Sequence, residues 1–206
     1  MAERRKGSYV WVTWLSKVMA GESACLWSSW FRTHYQSYAK LPATLDLVQW
    51  NIEHTRLLTD TRESLCRRGA TLRVEGQNSF QYQHRSGAIL AGKPDLLSID
   101  DTTVTVVDCK TGRAKTSDRV QVMLYMFVLP FCFPELAVYR IQGQIVYRND
   151  RVDIEPTQVD SRFGENVDFF LNRLTDECPP AAAPSKCECR FCDITIADCS
   201  VRVSSS

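Results

Sequence analysis

Apolar positions recur every three to four residues over residues 8–20 and again over 24–39, a spacing that predicts two helices separated by Gly21. Trp27, Trp30, Phe31 and Tyr35 make one apolar face of the second, and Cys25 begins it. A longer helix follows over residues 45–68, with Leu47, Trp50, His54, Leu57, Leu58 and Leu65 on one inward side and Gly69 as its stop. Beyond Gly69 the period falls to two. Leu72 and Val74, Phe80 and Tyr82, residues 89–99 and residues 104–107 predict strands joined by short turns, a meander of antiparallel pairs. Residues 116–129 return to helical spacing, capped by Thr116 or Ser117 and ended by Pro130. A strand over 138–146 and a helix over 159–174 complete the pattern.

Strands enclosed by helices point to a mixed α/β (α+β) fold, and 206 residues with 44% apolar content suit one domain with a full core. Within it, residues 1–44 form N-terminal helices, 45–178 the core, and 179–206 a cysteine-rich tail behind the stiff connector Pro179-Pro180-Ala181-Ala182-Ala183-Pro184. Residues 120–138 are the longest apolar stretch, but Gln121, Pro130, Pro134 and Glu135 interrupt it, and no cleavable leader opens the chain. The expectation is a cytoplasmic protein with no membrane partner. Its net charge of +1 makes no global case for nucleic acid, so attraction to phosphate must come from a local patch.

Asp108 and Lys110 lie two apart at the end of an apolar strand and share a face, and an adjacent strand brings Asp95 beside them. Two carboxylates with an open edge suit Mg²⁺ or Mn²⁺, while a lysine alongside stabilises an attacking hydroxide or phosphoryl oxygens. A bare Asp-x-Lys is also an ordinary strand-end ion pair. Here Gly112 turns the chain, and Gln121 and Tyr125 share one face of the helix that follows. Glu75 is a further candidate acid at a strand end.

In order along the chain, Glu53-His54 in the long helix, Gly92-Lys93-Pro94-Asp95, Val107-Asp108-Cys109-Lys110-Thr111-Gly112 and Gln121-Val122-Met123-Leu124-Tyr125 make the sequence resemble the RecB/AddB-like branch of the PD-(D/E)xK nucleases, including CRISPR-associated exonucleases. That resemblance implies a restriction-endonuclease-like core, a central mixed sheet flanked by helices. It also implies that His54, Asp95, Asp108 and the Cys109 backbone carbonyl ligate Mg²⁺ or Mn²⁺. Lys110 would be the catalytic lysine, and Gln121 and Tyr125 would position the substrate strand or that lysine. The CRISPR-associated members usually carry glutamate where this chain has Asp108. The implied activity is a DNA nuclease, an exonuclease or single-strand nuclease in repair, recombination or defence; the alternative is a nuclease-fold DNA-binding module without turnover.

Nine cysteines in a reducing compartment point to metal ligation or buried thiols more than to disulfides. Cys189 and Cys192 have metal-binding spacing, Cys199 follows after a short loop, and a fourth ligand must come from elsewhere. In the resembled branch one cysteine ahead of the nuclease motifs and three behind them hold a 4Fe-4S cluster, which Cys25, Cys189, Cys192 and Cys199 match and which would join the chain ends. A local Zn²⁺ site of Cys187, Cys189, Cys192 and Cys199 is the rival reading. Cys66, Cys132 and Cys178, like the Cys109 thiol, read as buried or incidental. Arg113, Lys115 and Arg119 are candidate phosphate contacts, with Arg67 and Arg68 further off. Trp27, Trp30 and Tyr35 are potential base-stacking residues whose helical spacing also suits a core.

Overall fold

The computed structural model of the chain describes residues 2–42 and 47–203. In chain order its elements are β1 (Glu3–Arg4), β2 (Tyr9–Trp11), α1 (Val12–Met19), α2 (Leu26–His34), β3 (Tyr35–Gln36), α3 (Leu47–Arg67), β4 (Thr71–Val74), β5 (Phe80–Gln83), β6 (Ile89–Gly92), β7 (Leu96–Ile99), β8 (Thr103–Lys110), α4 (Thr116–Cys132), β9 (Arg140–Tyr147), β10 (Arg151–Ile154), α5 (Ser161–Thr175) and α6 (Lys186–Arg190). The principal sheet runs β10-β9-β8-β7-β4 and is mixed, with β8 and β9 parallel and the other neighbours antiparallel. A smaller sheet, β2-β6-β5, and the β1-β3 pair stand beside it. This is the mixed, helix-flanked architecture the sequence predicts.

Strand β8 is the spine. Val104 and Val106 pack into the larger core cluster with Val122 and Met126 of α4. Val107 and Cys109 join Leu96 and Val146 in a second cluster against Leu57, Leu58 and Leu65 of α3. A strand covered on both faces favours β-branched and apolar residues on both, and residues 103–107 of β8 are all Val or Thr. Parallel pairing of β8 with β9 requires a crossover, and α4 supplies it. Gly143 of β9 lets α4 approach closely, since a Cβ there would collide with the Val122 and Met126 side chains.

Pairing partners explain where periodicity misleads. Residues 8–20 predict one helix, but Tyr9, Val10 and Trp11 lie parallel to Ile89, Leu90 and Ala91, which satisfies their backbone groups and delays the helix to Val12. Tyr35 and Gln36 likewise leave the helix expected over 24–39 to pair with Arg4 and Glu3. The strand expected over 89–99 divides at Pro94, so that β6 and β7 enter different sheets. The strands of the expected meander do pair antiparallel, β4 with β7, β5 with β6 and β7 with β8, while the strands outside it, β2 and β9, pair in parallel with β6 and β8. Residues 45 and 46, placed in the third helix by its spacing, lie outside the described residues. The inward face of α3 is realised only at its C-terminal half: Thr61 is buried there, whereas Leu47 and Trp50 are exposed. Gly69 ends α3 with φ of 82°, a left-handed value that favours glycine. No side chain of Thr116 or Ser117 caps α4; Glu22 does so from outside, accepting from Ser117 N at 2.8 Å and Ser117 Oγ at 2.6 Å.

The tail is tied to the N-terminal helices. Glu188 accepts from Ala24 N at 2.9 Å, Asp193 accepts from Arg32 Nη2 at 2.7 Å, and Ile194 is fully buried in the main core. Among the described residues, no helix is long and apolar enough to cross a membrane.

Replacing Gly143 by alanine should overpack the α4–β9 contact and cost about 1–3 kcal/mol of stability, read as a lower urea midpoint. Gly76→Ala, where a Cβ meets open space, should leave the midpoint nearly unchanged.

Candidate active site

Where β8 ends and α4 begins, a cavity of about 730 Å³ opens, the place in which parallel strand–helix units commonly take ligands. Its walls include His54 and Trp50 from α3, Asp95 from the β6–β7 break, Asp108 and Lys110 from β8, and Gln121 and Tyr125 from α4. These elements come from four regions of sequence, and the mixed sheet brings them to one end.

Asp95 sits where Pro94 turns the chain out of β6. Its Oδ2 accepts a 2.7 Å hydrogen bond from the Cys109 backbone N–H and lies 3.5 Å from His54 Nε2. Asp108 is 2% exposed, and its Oδ2 stands 2.8 Å from Lys110 Nζ. That ion pair aside, Oδ2 has no hydrogen-bond partner, while Oδ1 accepts from Gln121 Nε2 at 3.0 Å. Gln121 works from both ends of its amide: its Oε1 accepts from Lys110 Nζ at 3.1 Å, and its Nε2 also reaches Tyr125 Oη at 3.1 Å. Gly92 makes room for Tyr125, since a Cβ there would fall 2.8 Å from the tyrosine ring.

The charges follow from this burial. Desolvation pushes the Asp108 carboxyl up to about 6, against the opposing pull of the Lys110 ammonium and with a further rise from Asp95. For Lys110, desolvation acts to lower the pKa, but Asp108, Asp118 and Asp95 outweigh it, and the ammonium is held above its ordinary value. Hydrogen bonding to Asp95 raises His54 despite its partial burial. Burial first, then the Asp108 charge, raises Tyr125, so its hydroxyl stays protonated and can only donate or accept a hydrogen bond. Burial and Asp95 push the Cys109 thiol up to about 12, leaving it neutral.

Two carboxylates on an open cavity are the oxygen donors a hard dication takes, an imidazole stands beside them, and the polar atom of Asp108 lacking a hydrogen bond fits that chemistry. As placed, His54 engages Asp95 and Lys110 engages Asp108, and no three His, Cys, Asp or Glu side chains among the described residues stand close enough to share a metal.

Of the basic candidates, Arg113 and Lys115 line the cavity, whereas Arg119 is turned toward Gln158 at 3.4 Å and Arg67 pairs with Glu63 at 3.9 Å. Glu75 also lines the cavity and pairs with Lys93 at 2.5 Å. Sequence spacing does not single out Asp118, whose Oδ2 accepts from Tyr147 Oη at 2.9 Å and from Lys115 N at 3.0 Å in the same wall. Its position three residues before Gln121, on the same helical face, is the signal that would have found it. Trp11 and Trp50 line the cavity too, while Trp27, Trp30 and Tyr35 form the aromatic interior around α2: Trp27 stacks on Phe31 at 5.1 Å and Phe31 on Tyr35 at 4.9 Å.

At the N-terminal end of α2, Cys25, Cys189, Cys192 and Cys199 line one small cavity, and Cys187 lines a neighbouring one that Cys192 also borders. Arg32 Nη2 donates to Cys192 Sγ at 3.7 Å, and Val203 N donates to Cys189 Sγ at 3.5 Å.

A carboxyl raised above its ordinary value of 3.8 stabilises the fold only while protonated, so its contribution is full below about pH 4 and is lost as pH rises through about 6. In metal-free buffer at pH 7.5, Asp108→Asn should therefore melt higher than the wild type, with the gap closing toward pH 4. A variant melting lower at pH 7.5 would show that the Lys110 pair more than offsets the desolvation cost.

Residues 22–196 match the model of the PD-(D/E)XK nuclease superfamily. A solved structure described as "Crystal structure of SSO0001" aligns over 92% of this chain and 85% of that one, at 13% identity and a TM-score of 0.45. No curated protein matches the chain. The superfamily comprises phosphodiester hydrolases acting on nucleic acid, generally with Mg²⁺ or Mn²⁺. Since its model spans most of the sequence, including every motif around the β8–α4 cavity, the chain belongs to the PD-(D/E)XK nuclease superfamily.

Proposed function

We propose that the chain is a metal-dependent deoxyribonuclease of the RecB/AddB-like branch, an exonuclease or single-strand nuclease acting in repair, recombination or defence. One observation carries the reading: Asp95, Asp108 and Lys110 face a single cavity, with Gln121 bridging the last two. His54, Asp95, Asp108 and the Cys109 carbonyl would hold the dication. Bound there, Mg²⁺ or Mn²⁺ supplies a polarised water and neutralises charge on the phosphate.

The protein's own groups do the remainder. Lys110 keeps its proton and presents an ammonium to the developing oxyanion, a contact made at full strength only in the transition state. Gln121 holds the Lys110 and Asp108 side chains at a fixed separation, and Tyr125 anchors Gln121. Arg113 and Lys115, both exposed on the cavity wall, offer phosphate contacts that carry no sequence preference. Retention of both acids and the lysine in one cavity favours turnover over the alternative, a DNA-binding module with the fold alone.

Hydrolysis of labelled single-stranded DNA with Mn²⁺ should fall about a hundredfold to a thousandfold in kcat for Lys110→Ala, with the melting curve still cooperative. A wild type that binds DNA but never cleaves it would leave the module reading instead.

The reading includes a 4Fe-4S cluster on Cys25, Cys189, Cys192 and Cys199, supported by the cavity those four line together and Cys187 does not. Such a cluster would close a loop of most of the chain and act as a staple. Anaerobically purified protein should be brown and contain iron and sulfide, lose both in Cys199→Ser and keep both in Cys187→Ser. Colourless protein with zinc dependent on Cys187 would establish the rival site.

A further inference from the structure

Two tryptophans stand in the wall of the catalytic cavity, and the chemistry described so far uses neither. Trp11 ends β2 and remains 40% exposed; Trp50, in the first turn of α3, remains 39% exposed. Both rings are held in place. Trp11 meets Tyr9 edge-on at 5.6 Å, and Trp50 stacks on His54 at 5.0 Å with an interplanar angle of 21°. A single exposed apolar residue needs no explanation, but two large aromatics beside a cluster of carboxylates form an apolar wall in a charged site. Trp30, by contrast, is buried at 7% in the same protein.

The two kinds of wall recognise different parts of a polynucleotide. Arg113 and Lys115 attract phosphate in any strand, paired or not. An indole face attracts a nucleobase face, which a duplex keeps inside its stack and an unpaired strand leaves open. Aromatic and cationic residues on one cavity therefore favour a strand whose bases are splayed away from their partners.

We infer that Trp11 and Trp50 are base-stacking residues that hold nucleobases next to the scissile phosphate and so select an unpaired DNA strand. The inference rests on the nuclease reading and adds to it the residues that set strand preference. Trp50 has a second effect, because its stacking on His54 couples the bound base to the orientation of a proposed metal ligand.

Binding separates the two claims, since it is read without turnover. Affinities for a fluorescein-labelled single strand, its blunt duplex and the same strand carrying abasic sites would be measured with Ca²⁺ in place of Mg²⁺, with substrate integrity checked on a gel. Trp11→Ala and Trp50→Ala should each weaken the single strand by roughly fivefold to a hundredfold and leave the duplex unchanged. On the abasic strand the variants and wild type should bind alike, and Trp11→Phe and Trp50→Phe should restore much of the loss. Equal losses on single strand and duplex, or no loss, would overturn the inference while leaving the nuclease intact. Failure of the wild type to bind any of the three would remove the nuclease reading and this inference together. If an alanine variant does not fold, as judged by its melting curve, the wild type alone decides: abasic sites must weaken its binding at least fivefold.

Discussion

The molecule is organised around the burial of one carboxylate. Asp108 is 2% exposed near the end of a strand whose preceding residues are Val and Thr, and removing its charge from water carries a cost that its ion pair with Lys110 offsets only in part. Every neighbour on that side answers to this cost. Gln121 donates to one oxygen and accepts from the lysine, Tyr125 holds Gln121, and Gly92, lacking a Cβ, leaves the space that the Tyr125 ring occupies. A fold seeking only stability would place a valine there. The retained charge makes the end of β8 a site and not simply a strand terminus.

The scaffold suits that burden because β8 is covered on both faces, by α4 and by α3, and is flanked by β7 and β9. Asp95 arrives from the neighbouring β7 side, where Pro94 forces the chain to leave one sheet and enter another. Its carboxylate is fixed by the Cys109 N–H, a backbone donor that no substitution other than proline would remove. Rigid strands thus set the acids, and a rigid helix sets the amide between them.

Local chemistry left a clear trace in the sequence wherever a residue's role follows from its neighbours in the chain. The alternation that puts Asp108 and Lys110 on one face, the four-residue step from Gln121 to Tyr125 and the break at Gly112 all concern short-range geometry. The elements fixed by distant partners were less legible. Tyr9–Trp11 has helical spacing but becomes a strand because β6 lies alongside, and nothing in the spacing of residues 138–146 shows that this strand returns parallel to β8. The inward face of α3 fails at Trp50, whose ring faces the site cavity instead of the core. Periodicity reports that a residue shares a face with others, and it does not say whether that face meets protein or substrate. Trp11 went unmarked for the same reason, since it serves the cavity from a strand that forms only by pairing with β6.

The central claim is that His54, Asp95 and Asp108 gather a dication at the mouth of this cavity, and a crystal grown with Mn²⁺ tests it most directly. The account predicts an anomalous density peak within ligand distance of all three side chains in the wild type and its loss in Asp108→Ala. A peak elsewhere, or three side chains that keep their present partners in saturating Mn²⁺, would contradict it.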